Sequence, residues 1–338
     1  MVSISLSVVI PVYQGESFLE DLADALATLK TELDKQQRPI SLIEAIFVDD
    51  EATDNSAKIL DALQERHPWI AAVHLSRNVG QHSATVAGIL RSCGDWVATI
   101  DEDLQHDPKF LVPLLMQAIE NHLDIVYAKP ESAVHESVLR DFSSRTVKRL
   151  FGFLTRNPHV TKFNSFRMIR GPLARAAASL ATERTYFDIA LTWFSNRIGV
   201  LTIPMKDQRY VQHRTSGYSL KSLVRHAVRL ALGCEMRILR AGTLIGFATL
   251  SVSVLLSAAV LSQKLLFPET VDLPGWSSLM LAVLFLGGLV ASLVGISLEY
   301  LSVLVLQALG KPTYYVVDRS LDDAVLEHFR RDAHDIAA

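Results

Sequence analysis

The sequence predicts an α/β protein: a mostly parallel sheet with helices on both faces, then an amphipathic helix and a hairpin of two membrane-crossing helices. Three observations carry this expectation. Strand-like and helix-like segments alternate over residues 1–215, the pattern of a parallel sheet with helical crossovers. Ala241–Ser262 and Leu273–Leu298 hold no charged residue, and each run exceeds the roughly 20 apolar residues that cross a hydrocarbon core. Upstream of them, Leu220, Leu223, Val224, Ala227, Val228 and Ala231 share one helical face while Lys221, Arg225 and Arg229 line another. Such a helix lies on anionic headgroups.

The expected organisation is a catalytic-type domain over residues 1–215, an amphipathic juxtamembrane helix over 216–240 and a first span over 241–262. A short non-cytoplasmic loop over 263–272, a second span over 273–298 and a cytoplasmic segment over 299–338 complete it. Within the first domain, strand patterns fall at Leu6–Val12, Leu42–Val48, Ala71–Leu75, Trp96–Ile100 and Asp124–Ala128. Helical periodicity fills the gaps at Ser17–Asp34, Ser56–Glu65, His82–Arg91 and Pro108–Asn121. Lys221, Arg225, Arg229, Arg237 and Arg240 precede the first span, and Lys311 and Arg319 follow the second. The intervening loop has Lys264 against Glu269 and Asp272. The positive-inside rule then places the large domain and both termini in the cytoplasm. In the second span, Gly287, Ala291 and Gly295 recur every four residues, a spacing that permits close helix contact and is compatible with a homo-oligomer.

Charge and cysteines narrow the function classes. A formal net charge of -3, from 33 basic and 36 acidic residues, gives no overall basic excess for a nucleic acid. Cys93 and Cys234 form no CxxC pair, so neither a zinc site nor a disulfide framework is readable, and a reducing, cytosol-facing setting fits. The first strand is followed by neither GxGxxG nor a P-loop, and the start of the chain lacks the basic n-region of a signal peptide.

Chemistry gathers at the strand ends. Asp101-Glu102-Asp103-Leu104-Gln105 follows the apolar run Trp96–Ile100. In an extended chain Asp101 and Asp103 point the same way and Glu102 the other. Two carboxylates and an amide oxygen suit a hard divalent cation that also grips a diphosphate. Three further strand ends carry polar clusters: Pro11 to Glu16, Asp49 to Ser56, and Ser76 to Gln81. Open α/β sheets bind ligands at this carboxyl edge.

Taken together, SVVIPVY, FVDDEATDNS, LSRNVGQ, GDWVATIDEDLQHDP, NSFRMIR, HRTSGYSLKSL and EYLSVLVLQALGKPTYYVV resemble the family 2 glycosyltransferases of the polyprenyl-phosphate branch. These include dolichol-phosphate mannose synthases and bacterial polyprenyl-phosphate glucosyltransferases. The resemblance implies a GT-A, Rossmann-like fold in a bacterial inner membrane. It also implies inverting transfer of a sugar from a UDP- or GDP-sugar to a polyprenyl phosphate, with Mg²⁺ or Mn²⁺. By that likeness Pro11, Tyr13, Glu16, Asp49, Asp50 and Arg77 hold the donor, with Asp50 supporting the loop. Asp101, Asp103 and Gln105 form the metal and diphosphate group, and Arg167 lies near the phosphates. Arg140, Ser144 and Arg145, with Arg209 or Arg214, are the acceptor-phosphate candidates. Three departures stand out: Glu51-Ala52 where the family has Gly-Ser, a compressed His213–Ser219 motif, and Ser165 where the bacterial branch often has Asp. Two other readings are a polysaccharide synthase, for which a QxxRW motif and additional spans are missing, and a silent nucleotide-sugar-binding scaffold.

Overall fold

The computed structural model describes residues 3–35, 39–131, 159–181, 186–204, 237–267, 275–308 and 310, together with 322, 325 and 326. Contacts divide the chain into two units, one holding residues 1–153, 157–233 and 312–338, the other residues 154–156 and 234–311.

The first unit is built on a seven-stranded sheet. In chain order its elements are β1 (Ile4–Val12), α1 (Leu19–Lys35), β2 (Ile40–Asp49), α2 (Ser56–Arg66), β3 (Ile70–His74), α3 (Gln81–Arg91) and β4 (Trp96–Thr99). There follow α4 (Leu111–Glu120), β5 (Ile125–Pro130), β6 (Arg167–Arg170), α5 (Gly171–Leu180), α6 (Phe187–Phe194) and β7 (Ile198–Ile203). The strand order is β3-β2-β1-β4-β6-β5-β7. All neighbours run parallel except β6, which is antiparallel to both β4 and β5. The α/β, mostly parallel expectation holds. The hairpin-like return of β6 was not among the expected strands, because four residues, Arg-Met-Ile-Arg, are too few to show a period.

Each helix follows from its apolar spacing. In α1 the buried residues Leu19, Leu22, Ala23, Leu26, Leu29 and Leu33 form one stripe, with Glu20 and Asp21 in the first turn and Lys35 in the last, as the helix dipole favours. The expected helix at Pro108–Asn121 divides in two. Asp107 caps a single 3₁₀ turn at Pro108–Phe110, accepting the Lys109 N–H at 3.0 Å, and α4 begins at Leu111. One core lies between the sheet and α1, α2 and α4, around Leu6, Phe47, Trp96 and Phe166. The opposite face packs Val9, Val48, Tyr127 and Ile169 against α3, α5 and α6. Val325, from beyond the apolar helices, is fully buried in the first of these cores.

The second unit is a helical pair, α7 (Arg237–Leu266) and α8 (Trp276–Ala308). Gly246–Leu266 and Leu279–Leu298 are long and apolar enough to cross a membrane. Their leucines are exposed, Leu255 at 69% and Leu279 at 67%, so this is no buried pair of core helices. The helices meet through a small-residue seam that keeps Ala291 of the expected line, whose carbonyl oxygen would lie 2.5 Å from a Cβ on Gly246, and buries Gly295, but takes Gly288 in place of Gly287. Gly287 has open space around it, whereas a Cβ on Gly288 would sit 3.0 Å from Leu250 Cα. Ser292, buried beside it, donates its hydroxyl to the Gly246 carbonyl at 3.2 Å, and Ser253 donates to the Leu284 carbonyl.

Candidate functional site

The sheet topology brings the predicted strand ends together. From β1 the chain winds outward through β2 and β3, then returns to place β4 on the other side of β1. That reversal makes the β1/β4 boundary a topological switch point, where open sheets bind ligands. Register pairs Val12 with Asp49 and Asp49 with His74, so β1, β2 and β3 end level. Antiparallel β6 begins at the same edge, with Arg167 opposite Thr99.

On the β1 side, Pro11 is buried and Tyr13 is 41% exposed, its ring offered to solvent. Glu16 reaches across to the next loop. It accepts the Asn55 side-chain amide at 3.0 Å and the Asn55 N–H at 3.1 Å, and these bonds hold its carboxyl below the usual value.

The β2 end carries two carboxylates with different tasks. Asp49 accepts the Ala52 N–H at 2.7 Å and lies 2.8 Å from His74 Nδ1, whose other nitrogen lies 3.1 Å from Asp61. The hydrogen bond to Asp49 is the largest cause raising the His74 pKa. Asp50 is buried and accepts the N–H groups of Val79 and Gly80 at 2.7 and 2.8 Å. It thus supports the β3–α3 loop, on which Arg77 is exposed. Burial pushes its carboxyl up, and the two N–H groups oppose that. Glu51, one of the departures from the family pattern, adopts φ 56, the left-handed region that favours glycine. Its carboxylate accepts the Asn78 N–H at 2.9 Å, which gives the extra acid a structural task.

Strand β4 ends at Thr99, so alternation along an extended chain does not orient the acids beyond it. Leu104 sits at φ 59, and residues 102–105 turn. Asp101 is instead oriented by neighbours: Gln81 donates to one oxygen at 2.6 Å and Ser165 to the other at 2.9 Å. Its backbone N–H donates to His106 Nδ1 at 2.9 Å. Asp103 is buried and accepts the Gln105 side-chain amide at 3.1 Å and the Gln105 N–H at 3.3 Å. That Gln81, Ser165 and His106 orient Asp101 is not readable in the sequence, since nothing in their spacing points to it. Gln81 lies within LSRNVGQ and Ser165 within NSFRMIR, the only signals available.

Arg167 lies behind this edge. It is 5% exposed and ion-paired to Asp188, which also accepts the Tyr127 hydroxyl at 2.7 Å. Burial would lower the guanidinium pKa, but the Asp188 charge and hydrogen bond, together with Tyr127 and Tyr186, outweigh it and the pKa is raised. Arg167 Nε donates to Thr99 Oγ1 at 3.1 Å, and Thr99 donates to the Ser165 carbonyl. The side chain therefore supports the Asp101 turn from beneath. Arg140, Ser144, Arg145, Arg209 and Arg214 lie outside the described residues, as does the 219–232 segment.

A divalent cation fits the donor set at Asp101, Asp103 and Gln105, which is all oxygen and hard. Among the described residues no group of three or more His, Cys, Asp or Glu forms a ready cage, so such an ion would take further ligands from a bound diphosphate.

The chain belongs to glycosyl transferase family 2, whose model matches residues 7–179, so its mixed α/β sheet is of the GT-A type. Its relatives match at nearly full length. A glycosyltransferase of Synechocystis sp. is 29% identical over 94% of this chain and 96% of its own. The undecaprenyl-phosphate 4-deoxy-4-formamido-L-arabinose transferase of Edwardsiella ictaluri is 30% identical over 92% and 93%. The prophage-derived bactoprenol glucosyl transferase of Shigella flexneri is 24% identical over 92% and 97%. Among solved structures, glucosyl-3-phosphoglycerate synthase from Mycobacterium tuberculosis, crystallised with Mg²⁺ and UDP, covers 68% of this chain and 79% of its own at 16% identity and TM-score 0.45.

Proposed function

We propose that this protein transfers a sugar, with inversion, from a UDP- or GDP-sugar to a polyprenyl phosphate at the cytoplasmic face of a membrane. The observation that carries the reading is the near-full-length similarity to bactoprenol and undecaprenyl-phosphate sugar transferases, apolar hairpin included. A polyprenyl chain stays in the bilayer, and α7 and α8 would anchor the enzyme in the same membrane as its acceptor. The basic residues flanking the spans support a cytoplasmic domain.

In this reading Tyr13 offers its ring to the nucleobase, and the β1, β2 and β3 loops bind the nucleoside. Asp101, Asp103 and Gln105 would hold Mg²⁺ or Mn²⁺, which when bound supplies Lewis-acid stabilisation to the leaving diphosphate. Gln81 and Ser165 keep the Asp101 carboxylate aimed before any ligand arrives. The acceptor is a phosphate monoester with a second pKa of about 6, so its nucleophilic oxygen is already ionised near neutrality. A serine at 165 is consistent with that chemistry, because positioning matters more than proton removal. The acceptor phosphate falls to Arg140, Ser144, Arg145 and Arg209 or Arg214. A homo-oligomer is part of the proposal.

The test is transfer of radiolabel from UDP- and GDP-sugars to a lipid extract, using the purified protein with polyprenyl phosphate and Mg²⁺ or Mn²⁺. A lipid-linked monosaccharide is expected. A polymeric product would favour a polysaccharide synthase. Nucleotide-sugar binding without product from any donor would favour a silent scaffold.

A further inference from the structure

Glu102 stands between the two acids of the proposed cation grip and takes no part in it. Its side chain is buried, 7% exposed, and accepts the N–H groups of Tyr13 at 2.9 Å and Gln14 at 3.4 Å. Gly15 makes room for it: a Cβ there would lie 2.8 Å from Glu102 Oε2. The opposite flank of this β1–α1 loop is pinned to the β2–α2 loop. Gly15 N–H donates to Ser56 Oγ at 3.1 Å, and Glu16 N–H to Asp54 at 3.1 Å. The loop that presents Tyr13 is therefore tied on one side to the loop after β2, and on the other to the turn carrying Asp101 and Asp103.

We propose that Glu102 is a positioning residue that couples the nucleoside end of the donor site to its diphosphate end. The inference rests on the donor-binding reading above. Hydrogen bonds from backbone N–H groups to a carboxylate are among the stronger ones, and a carboxylate in a turn can hold them only while the turn keeps its shape. Glu102 is covalently flanked by Asp101 and Glu102's own neighbour Asp103, so ligands that order those residues also order the acceptor beneath Tyr13. By reciprocity, a nucleobase that fixes Tyr13 pre-shapes the turn for the diphosphate. No new contact between the two ends of the donor is needed.

The experiment uses the full-length protein, with UDP or GDP, whichever binds the wild type more tightly, and Mn²⁺. Hydrogen exchange is followed at Tyr13 and Gln14, alongside donor KM and kcat. In the wild type, nucleotide with Mn²⁺ slows exchange at both amides. Glu102→Ala is expected to lose that protection and to raise donor KM about tenfold, with kcat within about threefold of wild type. Glu102→Gln keeps one acceptor oxygen and is expected to fall between the two. Unchanged protection and KM in Glu102→Ala overturn the coupling. So does a drop in kcat at constant KM, which would put Glu102 among the reacting groups. If Glu102→Ala does not fold, Glu102→Gln decides alone, and wild-type behaviour in it overturns the proposal. A wild type that binds neither nucleotide fails the donor-binding reading and the coupling with it, whereas wild-type binding with unaffected variants fails the coupling only.

Discussion

Replacing Asp188 with alanine tests whether the edge of the site is supported from below. Asp188 and Arg167 are 1% and 6% exposed at the side chain, so neither charge is relieved by water. Alanine there leaves the Arg167 guanidinium buried over the Phe187 ring with no counter-charge from Asp188, and removes the acceptor of the Tyr127 hydroxyl. Breaking one partner of a buried pair costs about 3–5 kcal/mol. For a domain of about 150–250 residues each kcal/mol moves Tm by about 2–4 °C, so the expected fall is roughly 6–20 °C. Thermal unfolding of the detergent-solubilised protein by intrinsic fluorescence reads it. The combined variant Tyr127→Phe, Arg167→Met, Asp188→Leu replaces the whole network with apolar groups and should recover most of the loss. It should not recover transfer, because Thr99 and Ser165 lose the guanidinium that backs the Asp101 turn. A melting point for Asp188→Ala within about 2 °C of wild type would refute the argument, since that is below the effect of one kcal/mol.

Asp103→Ala should lower transfer at least about a hundredfold with melting near wild type; near-normal turnover would sink the cation assignment. His74 has a raised pKa because it lies against Asp49 and Asp61, so its stabilising effect is complete below the imidazole's ordinary value and lost as pH rises through the native one. The stability gap between wild type and His74→Gln should therefore narrow as pH rises from below the imidazole's ordinary value through the raised native one. With a side chain 41% exposed, the gap should stay under about 1 kcal/mol. A gap that widens with pH contradicts this. At Glu51, φ 56 predicts that Glu51→Val loses about 1–2 kcal/mol in urea unfolding. Glu51→Gly should stay within about 0.5 kcal/mol, as relief of backbone strain offsets the lost bond to Asn78; equal losses would show that backbone strain does not matter there.

Much of this was legible in the sequence because it repeats. The period-two and period-3.6 runs of the first 130 residues mark β1 to β5 and α1 to α4 within a few residues of where they lie. The apolar helices were equally plain. What the sequence concealed depends on chain reversal. β6 runs antiparallel between β4 and β5, so Ser165 and Arg167 arrive beside Asp101 from a distance that no local pattern reports. Strand alternation does not reach beyond Thr99: neighbours such as Gln81 and Gln105 set the carboxylates' directions there. The small-residue stripe was off at Gly287 alone, because a seam between helices follows the partner's surface: Gly246 meets Ala291, while Leu250 selects Gly288.

Arg170 carries a consequence for the order in which the protein is assembled. Its guanidinium lies over the Trp96 ring, close to Asp124, and is held in a two-point grip by Asp322 at 2.7 and 3.3 Å. Asp322 is translated after both apolar helices, as is Val325, which completes the core on that face. The domain that begins at β1 thus waits for Asp322 and Val325 until α7 and α8 have been made. A ribosome that has finished β7 has made all seven described strands, yet Asp322, which grips Arg170, is still to come. Completion of this part of the core is thereby placed behind synthesis of the apolar hairpin, and a chain cut short before Asp322 leaves the Arg170 guanidinium without that partner.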